Sequence, residues 1–212
     1  MDEAALREQL AMLGASLFQR GYSVGTAGNI SVRLPDGYLM TPTNSCLGFL
    51  ESDRIAKLDA AGKHVSGDKP SKEVFLHQAF YETRPEAGAV VHLHSTYATA
   101  LSCLADLDPA DTIPPITPYV VMRVGQVPLL PYVRPGDPAM GELVRRLEGR
   151  HAAVLLANHG PVVSGPDLTS AVYAAEELEE TAKLLLLLRG EKTRRLTDEQ
   201  VDELTRVFAL KR

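Results

Sequence analysis

The sequence predicts an α/β sandwich, a single layer of mainly antiparallel sheet covered by helices. Three observations point there. Helical periodicity marks both ends of the chain, short apolar runs bounded by turn residues fill the middle, and a Pro-Asp-Gly turn joins two of those runs. The 212 residues are 45% hydrophobic and 23% charged, an ordinary globular composition for one domain spanning 1–212. A chain of this size buries enough surface to fold without a disulfide or a metal. No linker, low-complexity tract or internal repeat divides it.

The first helix is expected over residues 2–20, because Leu6, Leu10, Leu13 and Leu17 fall on one helical face, and Gly21 ends it. Short strands follow from Val24 to Met40. Ile30 to Arg33 and Tyr38 to Met40 form a hairpin around Leu34-Pro35-Asp36-Gly37. A second helix should open near Ser71, after Pro70, and run to about Glu82. Ala89-Val90-Val91-His92-Leu93-His94 and Ala152 to Ala157 are apolar runs of buried-strand length. Thr96 to Leu104 reads as helix, and the Pro-rich segment Pro114 to Pro138 as irregular chain or edge strand. Leu168 to Arg189 is a long helix on the spacing of Ala171, Leu178, Ala182 and Leu185. On it, Glu179 and Lys183 are placed for an exposed i,i+4 pair worth a few tenths of a kcal/mol. Thr197 to Leu210 forms a last helix.

Charge and composition exclude several classes. Lys+Arg 22 against Asp+Glu 27 leaves a net charge of -5 with no basic block, which argues against nucleic-acid binding. The longest aliphatic run, Ala152 to Ala157, is far below the ~18 residues of a membrane span. Met1-Asp2-Glu3 is neither a basic leader nor the start of an apolar one, so no secretory signal is expected. Cys46 and Cys103 read as reduced thiols of a cytoplasmic protein.

The chemistry concentrates in two constellations. On a strand, residues i and i+2 share a face roughly 7 Å apart, so the imidazoles of His92 and His94 can reach one ion at ~2.0–2.1 Å. A lone His-x-His is more often a pair of satisfied core or rim histidines. His159, in Asn158-His159-Gly160 at the end of a second buried strand, adds a third imidazole. Three neutral imidazoles with open positions suit a catalytic divalent ion. Glu73 is the natural carboxylate partner, though an acid at a helix start also complements the macrodipole. His77, one turn on, is read as structural and facing another surface. The second constellation joins Gly25-Thr26-Ala27-Gly28-Asn29, Thr43-Asn44 and Ser71-Lys72. Small residues let backbone N–H groups approach an anion, and the hydroxyl, amide and ammonium groups add donors. The glycine turn matches neither the P-loop nor the dinucleotide fingerprint. Lys72 beside Glu73 suits a phosphorylated or carboxylated substrate, and equally fits a solvated lysine.

Gly25-Thr26-Ala27-Gly28-Asn29-Ile30-Ser31, Ser71-Lys72-Glu73, His92-Leu93-His94 and Asn158-His159-Gly160 together resemble the signature of the class II aldolase/adducin family. They occur in the family's order across most of the chain. The resemblance implies a three-layer sandwich with a central, mainly antiparallel sheet. It implies one zinc ion per subunit on His92, His94 and His159, with Glu73 as acid/base and as a ligand when substrate is absent. It places the substrate phosphate among Thr26, Asn29, Thr43 and Ser71, with Asn44 and Lys72 beside them. It also implies a homotetramer with active sites between subunits, and a tyrosine from the adjacent subunit as proton donor. Tyr119 is the best match for it.

The fuculose-phosphate aldolases of the family have a serine where this chain has Lys72 and a glycine where it has Asn44. Gly67 to Glu73 and Leu156 to Val163 look closest to the family's 3-oxo-tetronate 4-phosphate decarboxylases, which release dihydroxyacetone phosphate and carbon dioxide in sugar-acid catabolism. Zinc-dependent decarboxylation is therefore the leading expectation. Aldol cleavage of a ketose 1-phosphate is the runner-up. A non-catalytic module of the adducin kind is expected to have degraded metal ligands, and here all four candidates are present.

Overall fold

The computed structural model describes residues 2–208 and 210. Helix α1 spans Glu3–Gln19, with Asp2 accepting from the Ala5 N–H at 2.8 Å as its N-cap. The expected hairpin follows as β1 (Asn29–Leu34) and β2 (Gly37–Met40). Next come β3 (Ala56–Asp59), β4 (His64–Ser66), α2 (Val74–Thr83), β5 (Ala89–His92) and α3 (Thr96–Ser102). The second half holds α4 (Pro118–Arg123), β6 (Leu129–Leu130), α5 (Ala139–Arg145), β7 (Ala153–Leu156), β8 (Gly160–Gly165), α6 (Leu168–Leu187) and α7 (Asp198–Val207). The last residues expected in the terminal helix include Ala209, which lies outside the described residues.

The strands form one sheet in the order β4-β3-β2-β1-β5-β8-β7-β6, antiparallel throughout except for the two-residue edge pairing of β6 with β7. Strand periodicity sorts side chains onto its two faces. Ile30, Val32, Leu34, Ala89, Val91, Ala153, Leu155 and Val163 point to one face, against apolar residues of α1, α3, α4 and α6. Val90, Val154, Leu156 and Val162 point to the other, against Leu76, Ala79 and Phe80 of α2 and Met140 and Val144 of α5. Helices on both sides of a central sheet make the expected three-layer sandwich. Each large side chain buried here contributes roughly 1.5–3 kcal/mol. His92 continues the Val90 face, which directs it toward α2.

The second helix and the Pro-rich segment are among the elements that depart from expectation. The second helix begins at Val74, not Ser71, so Ser71 and Lys72 precede the helix instead of opening it. The cause is a tertiary contact. The Thr43 N–H donates to Lys69 O at 2.8 Å and the Ser71 N–H to Thr41 O at 3.1 Å, holding Pro70 and Ser71 beside the Thr41–Thr43 segment, so that Lys72 and Glu73 turn into the helix only afterwards. The Pro-rich segment holds the expected edge strand β6, but also the helix α4. Pro118 opens that helix and the Thr117 hydroxyl caps it, accepting from the Val120 N–H at 3.3 Å.

Candidate functional site

The cross-strand register assembles the centre. On β5, His92 pairs with Asn29 of β1 on one side and Val162 of β8 on the other. Gly28, at φ 82, lets the chain pass so close to the His92 carbonyl that a Cβ there would lie 2.9 Å from its oxygen. The β7–β8 turn presents His159. Asn158 adopts φ 56, and a Cβ on Gly160 would meet the Leu93 carbonyl oxygen at 2.4 Å. His94 lies two residues past His92, beyond the end of β5.

The three Nε2 atoms converge: His92 to His94 is 3.1 Å, His94 to His159 is 3.1 Å and His92 to His159 is 3.3 Å. Tetrahedral ligands at Zn–N lengths of ~2.0–2.1 Å stand about 3.3 Å from one another, so the triangle has the dimensions of a three-histidine metal site. The tautomers agree. His92 Nδ1 lies 2.8 Å from the Pro161 carbonyl, which can only accept, so that nitrogen carries the proton and Nε2 presents its lone pair. His159 Nδ1 is buried without a hydrogen-bond partner among the described residues. All three imidazoles are held below the usual histidine range by burial, His92 furthest, with His159 and then His94 adding to the effect. They are therefore neutral, the form that ligates.

Glu73 is the buried N-terminal boundary residue of α2 and faces this triangle. Its Oε2 is 3.6 Å from His92 Nε2 and its Oε1 is 3.8 Å from His159 Nε2. With neutral rings these are not ion pairs; they place a carboxylate across the open side of a bound ion.

His77 does not face another surface. It is buried beneath Glu73, with Nε2 2.6 Å from Asn29 Oδ1 and Nδ1 2.7 Å from Ser31 Oγ, while Asn29 Nδ2 donates to Glu73 Oε2 at 2.8 Å. Burial pulls its pKa down to about 3, with His92 adding to the effect, so it too is neutral. The signal was present in sequence: His77 is one turn from Glu73, and Asn29 and Ser31 alternate onto one strand face. Asn29 thus links Glu73 to His77 through its side-chain amide.

The structure brings some of the other expected residues together. Thr43 and Asn44, the latter at φ 56, lie beside Ser71 through the Thr41–Thr43 contact. Ser71 Oγ accepts from the Glu73 N–H at 3.3 Å. Thr26 and Lys72 are exposed. Tyr119 is 58% exposed on α4, whose main packing partners are α6 and α7, not the strands that bear the histidines. Glu179 was also misread from its spacing. It is buried and accepts from Ser95 Oγ at 2.7 Å and from the Tyr97 and Ala98 N–H groups at 2.8 Å each, so it caps α3 immediately after His94. Lys183 approaches Glu180 and the Tyr97 ring instead.

No helix among the described residues is long and apolar enough to cross a membrane. Comparison with known proteins agrees with the geometry. A 3-oxo-tetronate 4-phosphate decarboxylase from Pectobacterium atrosepticum is 55% identical over 205 residues, covering 96% of this chain and 94% of the relative. An L-fuculose phosphate aldolase from Haemophilus influenzae is 35% identical over 205 residues, covering 95% and 92%. The crystal structure of YgbL from Klebsiella pneumoniae superposes with a TM-score of 0.94 at 53% identity, covering 96% of this chain and 99% of that one. The protein is an enzyme, a carbon–carbon lyase with a histidine group able to hold a metal ion. The family profile described as Class II Aldolase and Adducin N-terminal domain matches residues 8–186, and this chain belongs to that family.

Proposed function

We propose that the protein is a zinc-dependent decarboxylase of a 3-oxo-tetronate 4-phosphate, releasing dihydroxyacetone phosphate and carbon dioxide. The observation that carries this reading is the Nε2 triangle facing Glu73, the residue that follows Lys72 in the chain. The greater identity to a decarboxylase than to an aldolase, 55% against 35%, supports it.

A divalent ion on His92, His94 and His159 supplies Lewis acidity that stabilises a developing oxyanion by several kcal/mol. The substrate carries its carboxylate on the carbon next to its ketone. When that C–C bond breaks, its electron pair passes toward the ketone oxygen and leaves the enediolate of dihydroxyacetone phosphate. Aldol cleavage leaves the same enediolate, so the two reactions need the same pocket and differ in the group that departs. Lys72 holds the anionic substrate beside the breaking bond, through its carboxylate or its phosphate. Thr26, Thr43, Asn44 and Ser71 donate to the phosphate, with Asn29 at the base of that pocket. Glu73 then delivers a proton to carbon, and Tyr119 of an adjacent subunit in a cytoplasmic homotetramer assists.

The test is turnover. Supplied with the phosphorylated 3-oxo acid, the zinc-loaded enzyme should release carbon dioxide and dihydroxyacetone phosphate in equal amounts, and Lys72→Ala should raise KM or lower kcat. Aldehyde release from a ketose 1-phosphate, without carbon dioxide from the acid, would establish the aldolase instead. Undiminished activity of Lys72→Ala would remove Lys72 from the account.

A further inference from the structure

Beneath the metal face, a line of buried polar groups runs from α2 across β1 and back to Glu73. Tyr81 Oη lies 2.7 Å from Ser31 Oγ, Ser31 Oγ 2.7 Å from His77 Nδ1, His77 Nε2 2.6 Å from Asn29 Oδ1, and Asn29 Nδ2 2.8 Å from Glu73 Oε2. Donor and acceptor roles along it are settled by its end. A carboxylate only accepts, so Asn29 turns its NH2 to Glu73 and its carbonyl oxygen to His77. That oxygen also only accepts, so His77 carries its proton on Nε2 and receives the Ser31 hydroxyl at Nδ1. Ser31 in turn receives the Tyr81 hydroxyl. Every hydrogen bond then donates toward Glu73. Tyr81 is itself pinned, stacked on Tyr38 with ring centroids 4.9 Å apart.

We propose that His77 is a positioning residue that sets the Glu73 carboxylate through Asn29, committing Oε2 to the relay and leaving Oε1 as the oxygen that exchanges a proton with substrate. Its catalytic consequence rests on the lyase reading of the site. Without the His77 donor, the Asn29 amide loses the partner that orients it. Its carbonyl oxygen is left buried without a donor, so the rotamer that brings the NH2 to Glu73 Oε2 is no longer held. The histidine triangle does not depend on this line, because His92 is oriented from the other side by Pro161.

Three variants and two kinds of readout test this. His77→Phe removes the donor and keeps the bulk, while in His77→Gln the side-chain amide can still donate to Asn29. Metal content and melting temperature come first, then kcat and KM on the phosphorylated 3-oxo acid, and crystal structures of the zinc-loaded proteins. The expected result for His77→Phe is full metal content, KM within about twofold and kcat lower by roughly tenfold to a hundredfold, as for a misplaced catalytic group. Glu73 should be displaced from Asn29 in that crystal. His77→Gln should recover most of kcat and restore the Glu73 position. If His77→Phe does not fold, His77→Asn, too short to reach Asn29, takes its place. The proposal is overturned if Glu73 stays put when the donor is gone, if His77→Gln is as impaired as His77→Phe, or if the loss tracks metal content. Should the wild-type enzyme release no carbon dioxide, the reaction assignment fails, while the Glu73 position in the crystals still decides for or against the relay.

Discussion

The duties proposed for Glu73 and for the histidines are separable, and single substitutions divide them. The triangle of Nε2 atoms is complete without the carboxylate. Glu73→Gln is therefore expected to keep its metal and lose about 10²–10⁴ in kcat, the usual contribution of a general acid/base. His94→Ala removes a ligand, so metal content and turnover should fall together; plasma mass spectrometry on the purified protein reads the first. A Glu73→Gln enzyme that turns over normally contradicts the assignment of Glu73. At this scale the sequence carries the candidate ligands outright, and of their supports only the spacing that places His77 one turn from Glu73 and Asn29 and Ser31 on one strand face. His92, His94, His159 and Glu73 carry chemistry that few other arrangements explain, whereas His77 and Asn29 acquire their duty only from the β1–β5 pairing and the proximity of α2.

Helix α6 shows the same lesson among elements. Its length was legible from the repeat of Ala171, Leu178 and Ala182, all buried on the sheet. Glu179 was not, because an i,i+4 lysine is a local signal, and the buried N–H groups of Tyr97 and Ala98 are a tertiary one that outweighs it. Removing this carboxylate leaves three buried donors without their acceptor. Glu179→Ala is expected to cost about 3 kcal/mol. For a domain of this size that is a fall of roughly 6–12 °C in melting temperature. Because α3 follows His94 directly, metal affinity should drop as well, measurable by competition with a chelating dye. A variant that melts like wild type would show that the capping of α3 carries no weight. The helix α4 escaped the sequence reading for a different reason. Prolines forbid helix interiors but are accepted at a first turn, and Pro118 sits there.

Over the whole molecule, the alternation of β1, β5, β7 and β8 separates an apolar face from one that carries the chemistry, and this was readable wherever strands were long and apolar. Strands β3, β4 and β8 lie outside the expected elements for different reasons: β3 alternates but over only four residues, β4 is three exposed residues, and glycine and proline break the apolar run of β8, so their pairing is supplied by neighbours. Buried neutral histidines give the fold a directional response to pH. An unfolded histidine titrates near 6.5, while His77 in the folded chain does so at about 3 and the three ligating rings lie below their usual range. Below about pH 6.5 the unfolded chain takes up protons that the folded one refuses. Stability of the metal-free protein should therefore be whole above that pH and decline as pH falls toward 3, seen as a dropping melting temperature between pH 7 and 5. A flat profile would contradict the burial of these rings. Bound metal should deepen the response, since it adds stability that needs the same neutral imidazoles. The most direct measurement is metal stoichiometry paired with turnover, on wild type and on the three single histidine-to-alanine variants. The expected result is one divalent ion per chain in wild type, its loss in each variant, and carbon dioxide release that disappears with the ion and returns on adding zinc to chelator-stripped wild type. Full turnover by metal-free enzyme, or a full complement of ion retained in the single variants, would contradict it.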